Sequence, residues 1–209
     1  MKGIFTVVVS LFLLTAVLPA NAQESRGFSH GSPVILPNNP SYSLKLWWKS
    51  LQSFFAESRA EKTMTELNRL GEMAEEIELM FQYGYKGKFD SMVLRYARQA
   101  QRVSALVQEL HHEDLQNISG FRSEDAFINH VLTHLIKHID FINQKLLPED
   151  LQEETLISLH GAKQALIDAV SSIQLTLDDE ESFFERLMYI IVVEQSTFAQ
   201  NLVQEFQSR

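Results

Sequence analysis

The sequence predicts an all-α protein: a single elongated bundle of five or six amphipathic helices. Three observations carry that expectation. Apolar side chains recur three and four positions apart from Leu44 to Phe206, the period of a helix with one buried stripe. Only Leu187 to Val193 is rich enough in Val and Ile to be a strand, and a lone strand would have no partner. Residues that start and stop helices separate the periodic stretches.

The first segment reads as an address. Lys2 is followed by an apolar stretch from Ile4 to Leu18 and then by Pro19-Ala20-Asn21-Ala22. A positive start, an apolar middle and a small-x-small end describe a secretory signal peptide. The stretch is about 15 residues, against roughly 20 for a membrane span. A retained anchor is the rival reading. The expected organisation is therefore 1–22 signal peptide, 23–40 flexible leader and 41–209 helical domain, with a periplasmic or secreted location and no transmembrane segment after signal removal.

The leader is rich in Gly, Ser, Pro and Asn and ends in Leu36-Pro37-Asn38-Asn39-Pro40. Asn39 or Ser41 is placed to cap a first short helix. Its stripe is Leu44, Trp47, Trp48, Leu51, Phe54 and Phe55, and it holds both tryptophans of the chain. The default expectation for such a stripe is a core anchor. The sharper one is an exposed aromatic patch that meets a peptide or a membrane.

Ser58-x-x-Glu61 resembles a capping box and opens a second helix, with a stripe of Met64, Leu67, Leu70, Ala74, Ile77 and Phe81. Glu72, Glu75, Glu76 and Glu78 read as its solvent face, and Gly84-Tyr85-Lys86-Gly87 as the turn that ends it. The third helix, about 89–110, buries Met92, Val93, Tyr96, Ala100, Val103 and Val107. Arg95, Arg98 and Arg102 are surface neighbours on it, expected to pair with acids of the second helix.

After a polar linker, Ser123 precedes a fourth helix to about Leu147, with Ile128, Val131, Leu132, Leu135, Ile139 and Ile142 inward. Asn117-Ile118-Ser119 in the linker is a formal glycosylation acceptor. Pro148 separates a fifth helix, about 149–175, with Leu151, Leu159, Ala162, Leu166, Ala169 and Ile173 on its stripe. Gly161 inside that pattern implies a closely packed neighbour. Asp178-x-x-Glu181 starts a final helix to about Phe206, on which Phe184, Leu187, Ile191, Phe198 and Leu202 share a side. The apolar run Leu187 to Val193 suggests burial on all sides.

Composition narrows the function. There are 18 Lys+Arg against 27 Asp+Glu, a net charge of −9, which disfavours a nucleic-acid partner. There is no cysteine, so disulfides, thiolate metal sites, cysteine nucleophiles and a lipid-modified N-terminus are excluded. No Gly-x-Ser-x-Gly elbow, dinucleotide fingerprint or Walker spacing occurs, and no catalytic residues are assigned.

The histidines are the one constellation to weigh. His130, His134 and His138 stand four apart on the fourth helix. Each step climbs about 6 Å and drifts about 40°, so one ion takes at most two of them. His134 and His138, with His130 as a third candidate, are the metal ligands considered, for Zn or Cu. His138 is expected at the edge of the apolar face and His130 farther round. The alternative is boundary histidines that pack and hydrogen-bond without metal. His111-His112 offers further ligands only if it folds nearby, and the His-Glu-x-x-His motif is absent.

Leu36-Pro37, Pro40, Tyr42, Leu44-Lys45 and Trp47, with Phe54-Phe55 ahead of a charged helix start, resemble the opening of a family of bacterial secreted or membrane-attached proteins known only as domain of unknown function number 5667. The resemblance extends to about Leu110, and more loosely to His134-x-x-x-His138. It implies a signal peptide and a helical extracytoplasmic domain, and no established reaction or cofactor. The chain is poorer in Arg and Ala between Glu61 and Met80 than that family's usual helix. In size and location it also resembles the zinc-responsive periplasmic helical chaperones, but Leu175-Thr176-Leu177-Asp178-Asp179 departs from their Leu-Thr-x-x-Gln signature. The expected function is a non-enzymatic envelope protein that binds another protein or a peptide through Trp47 and Trp48. A metal-binding or metal-sensing bundle is second and an enzyme third.

Overall fold

The computed structural model describes residues 39–45, 47–48, 56, 58–115, 120–176 and 180–207. The signal sequence, the leader before Asn39, Phe54-Phe55, the acceptor at Asn117 and the expected cap at Asp178 lie outside them. Among the described residues the protein is all-α, without a strand. Helical residues 42–45 and 47–48 come first. Six longer α-helices follow among the described residues: α1 (Arg59–Gln82), α2 (Phe89–Gln108), α3 (Glu124–Phe141), α4 (Glu153–Thr176), α5 (Glu180–Glu194) and α6 (Thr197–Gln207). No helix among the described residues is long and apolar enough to cross a membrane.

The helix starts follow from the sequence. The Ser58 hydroxyl accepts from Glu61 N–H at 3.1 Å, and the Ser123 hydroxyl from Ala126 N–H at 3.1 Å. Each cap satisfies a donor that the first helical turn leaves open. α1 is 24 residues, about 36 Å long, and stops before Gly84 at φ 67°, a left-handed conformation that favours glycine. α3 does not end cleanly ahead of Pro148. It widens into a π-helical turn over Ile142–Leu146, closed by Leu147 N–H donating to the Ile142 carbonyl.

α2 is central. It lies along α4 on one side and α1 on the other, while α3 rests on α4 and α1. The core takes in Leu67, Leu70 and Ile77 of α1, Met92, Tyr96 and Val103 of α2, Leu132, Leu135 and Ile139 of α3, and Leu159, Leu166 and Ala169 of α4. Burial of each large side chain contributes about 1.5–3 kcal/mol before entropy is subtracted. The close approach expected at Gly161 is present: a Cβ there would stand 3.1 Å from Gln101 Nε2 of α2.

Four expectations are corrected. The last helix is not continuous. Gln195 turns left-handed at φ 54°, and Ser196 starts α6 as its cap, accepting from Ala199 N–H at 3.0 Å. Asp140 of α3 holds this corner, accepting from the Ser196 hydroxyl and from Phe198 N–H. Second, α5 is not buried all round. Phe183, Leu187 and Ile190 face the core, while Met188, Tyr189, Val192 and Val193 are exposed. α5 lies at the periphery, tied to α3 by Arg186–Asp125 at 2.7 Å and Lys137–Glu194 at 2.9 Å. Third, the acids of α1 are not all solvent-facing, because Glu76 is buried. Fourth, the tryptophans do not anchor the core; Tyr42 does.

Candidate functional site

The first helical segment is amphipathic in the reverse sense from the one expected. Asn39 Oδ1 accepts from Ser41 N–H at 2.9 Å and its carbonyl from Tyr42 N–H at 3.0 Å, which starts the turn. Tyr42 and Lys45 fall three apart, on one face. Leu44, Trp47 and Trp48 fall on the other.

The inward face meets α1 and α2 through polar groups. The Tyr42 hydroxyl donates to Glu76 Oε2 at 2.8 Å, and Lys45 Nζ donates to Glu76 Oε1 at 2.6 Å. Lys45 also reaches Glu72 at 3.4 Å. The Arg95 guanidinium of α2 stands 5.6 Å from the Tyr42 ring centroid. Burial, and then the adjacent Glu76 charge, push the Tyr42 hydroxyl well above its ordinary range, so it stays a donor. Both oxygens of one buried carboxylate are thus answered by one short segment.

The outward face is apolar. Leu44 is 53% exposed, Trp47 60% and Trp48 50%. Two large aromatics and a leucine thus stand exposed over a polar underside.

A second buried carboxylate, Glu66, ties α1 to α2. It accepts from Gln99 Nε2 at 2.7 Å and pairs with Arg102 at 3.0 Å. Of the three arginines expected to meet acids of α1, Arg102 does so. Arg95 faces Tyr42, and Arg98 is exposed. The sequence held a usable signal for the two buried acids. Glu66 and Glu76 immediately precede the stripe residues Leu67 and Ile77, so each sits on the shoulder of the apolar face.

The structure separates the three histidines. His138 is not at an edge. It is fully buried, and its Nδ1 stands 2.9 Å from the Tyr96 hydroxyl of α2. Burial drives the His138 pKa well below the ordinary histidine value, with the neighbouring His134 and Lys137 charges acting in the same direction. Burial also raises Tyr96, so both groups are neutral near pH 7. His130 and His134 are half-buried, with ring centroids 4.3 Å apart, and Phe121 packs edge-on against His130 at 5.5 Å. Among the described residues no group of three His, Asp or Glu is placed to hold a metal ion. The His112 side chain lies outside them.

No family model, no curated protein and no solved structure matches the chain.

Proposed function

We propose that the protein is an exported, non-enzymatic component of the cell envelope that takes another protein or a peptide on the face of Leu44, Trp47 and Trp48. The exposure of both tryptophans, 60% and 50%, carries this reading. Aromatic anchors contribute most of the binding energy at protein interfaces and lose little side-chain entropy on contact. The Tyr42 and Lys45 contacts to Glu76 support it further, because they fix the segment before a ligand arrives. Export rests on residues 1–22, and membership of family number 5667 rests on the opening residues from Leu36 to Trp47. The helical region is read as a single elongated bundle of five or six principal helices.

The chain holds two tryptophans, both on this face, so its intrinsic emission reports the site directly. A library of apolar peptides is titrated against the chain. The expected result is a saturable blue shift for a subset, lost in the Trp47→Ala, Trp48→Ala double variant when binding is followed by calorimetry. No saturable shift with any peptide, together with no crosslink from a photoreactive residue at position 47 in intact cells, would reject the proposal. Mass spectrometry of the mature N-terminus tests export separately.

A further inference from the structure

We propose that the partner taken on the aromatic face is an acidic peptide segment, and that Arg98 of α2 receives one of its carboxylates. The inference rests on the reading of Leu44, Trp47 and Trp48 as a binding face and adds the charge of what binds there.

The contacts of the first helical residues set their direction. The Tyr42 hydroxyl stands 2.8 Å from Glu76 Oε2 of α1, and 3.7 Å from Met92 Sδ and 3.5 Å from the Arg95 guanidinium of α2. Lys45 reaches Glu76 and also Glu72, one turn nearer the start of α1. α1 and α2 run antiparallel here. Glu76 and Met92 meet at Tyr42, while Glu66, earlier on α1, meets Gln99 and Arg102, later on α2. The course from Tyr42 to Lys45 is therefore the course along α2 from Arg95 toward Arg98 and Arg102, and Trp47 and Trp48 come after Lys45. At 100° per residue, Arg98 and Arg102 fall within about 60° of Arg95 around the axis of α2. The three arginines form one row beside the aromatic face.

This strip reverses the sign of the chain, whose net charge is −9. Lys45, Arg69, Arg95, Arg98 and Arg102 stand there against Glu66, Glu72 and Glu76. All three carboxylates are already answered: Glu66 by Gln99, Arg102 and Arg69, Glu72 by Lys45, and Glu76 by Lys45 and Tyr42. Arg98 is exposed, and no carboxylate among the described residues pairs with it. Its guanidinium keeps its charge and offers a planar fork that takes a carboxylate through two N–H donors. An apolar face edged by surplus positive charge fits a partner that sets acidic side chains beside apolar ones, and a basic partner would meet like charge.

Magnitudes divide the labour. An exposed ion pair changes affinity by up to about fivefold, and charge at a rim acts mainly on the association rate. The aromatic side chains then supply most of the affinity, and Arg98 the choice among partners.

The test divides the peptide library into acidic, neutral and basic thirds matched in apolar residues. Each is titrated against the full chain by tryptophan emission and calorimetry. Acidic members should bind up to about fivefold more tightly than their neutral counterparts, and basic members more weakly. Association of the acidic members in stopped flow should slow as salt rises. Arg98→Gln should bring the acidic peptides down to the affinity of the neutral ones, and Arg98→Lys should keep most of the preference. Arg122→Gln, exposed ahead of α3, should leave the preference as it is. Circular dichroism checks that the variants fold; should one fail, the salt dependence of the unaltered chain decides. Neutral peptides that bind as tightly as acidic ones, or a preference that survives Arg98→Gln, overturn this inference and leave the aromatic face standing. Absence of binding in all three thirds overturns it too and, with no crosslink from position 47, overturns the aromatic face with it.

Discussion

The Tyr96 hydroxyl and Nδ1 of His138 share a hydrogen bond of 2.9 Å across the α2–α3 contact, with both side chains closed off from solvent. Burial holds His138 neutral, with a pKa well below the ordinary value of 6.5. The unfolded chain accepts a proton near pH 6.5, and the folded chain does so only at lower pH. The unfolded state therefore binds more protons between those values, and stability falls as pH drops below about 6.5. One such group gives a slope of up to about 1.4 kcal/mol per pH unit. Urea unfolding at pH 7.5, 6.5 and 5.5 should show the midpoint falling, and His138→Gln should flatten that fall. An equal fall in both proteins would assign the pH dependence to other groups.

Tyr96→Phe keeps the ring and removes the hydroxyl. His138 then loses its buried partner at Nδ1, at a cost of about 1–3 kcal/mol. The measurement is the denaturation midpoint at pH 7.5, where His138 is neutral in folded and unfolded chains alike. A loss below 0.5 kcal/mol on the scale of ordinary surface changes would mean the bond contributes nothing net.

Asp140→Ala removes the acceptor for both the Ser196 hydroxyl and Phe198 N–H. A lost cap costs about 0.5–2 kcal/mol. The effect should be local, because this carboxylate is what fixes the corner after the left-handed Gln195. Hydrogen exchange should accelerate in α6 before it does in α1 or α2. Uniform acceleration across all helices would argue against a local role.

Gly161→Ala has an unusual expected sign. Alanine gains up to about 1 kcal/mol of helix propensity over glycine. The new Cβ meets Gln101 Nε2 at 3.1 Å, but that atom ends a flexible, exposed side chain that can turn away. The variant should be as stable as the parent or more so, by up to about 1 kcal/mol in urea titration. Clear destabilisation would show that Gln101 is held in place.

Much of the fold could be read from periodicity. Leu67, Val103, Leu135 and Leu187 were expected in the core, and all four are completely buried. Ser58 and Ser123 were legible as caps because their chemistry acts within three residues. What failed depends on groups distant in sequence. The break at Gln195 is held by Asp140, more than fifty positions earlier, and no local pattern announces it. His138 looked like an edge residue from its angle on α3 alone, and Tyr96 of α2 covers it. The seven-residue apolar run gave no hint that Met188, Tyr189, Val192 and Val193 would face outward, because which neighbours flank α5 is a property of packing. At the candidate site the tryptophans were identified, with a core anchor as the default reading and an exposed patch as the sharper one. Their polar companions, Tyr42 and Lys45, turn the segment over by finding Glu76.

That double grip on Glu76 has a mechanical consequence. Force on the aromatic face is passed through Tyr42 and Lys45 to Glu76 and, by Lys45, to Glu72, all on the 24-residue rod of α1. Removing that single carboxylate would take away two of the segment's anchors at once and leave it the Lys45–Glu72 pair and the Arg95 contact to Tyr42.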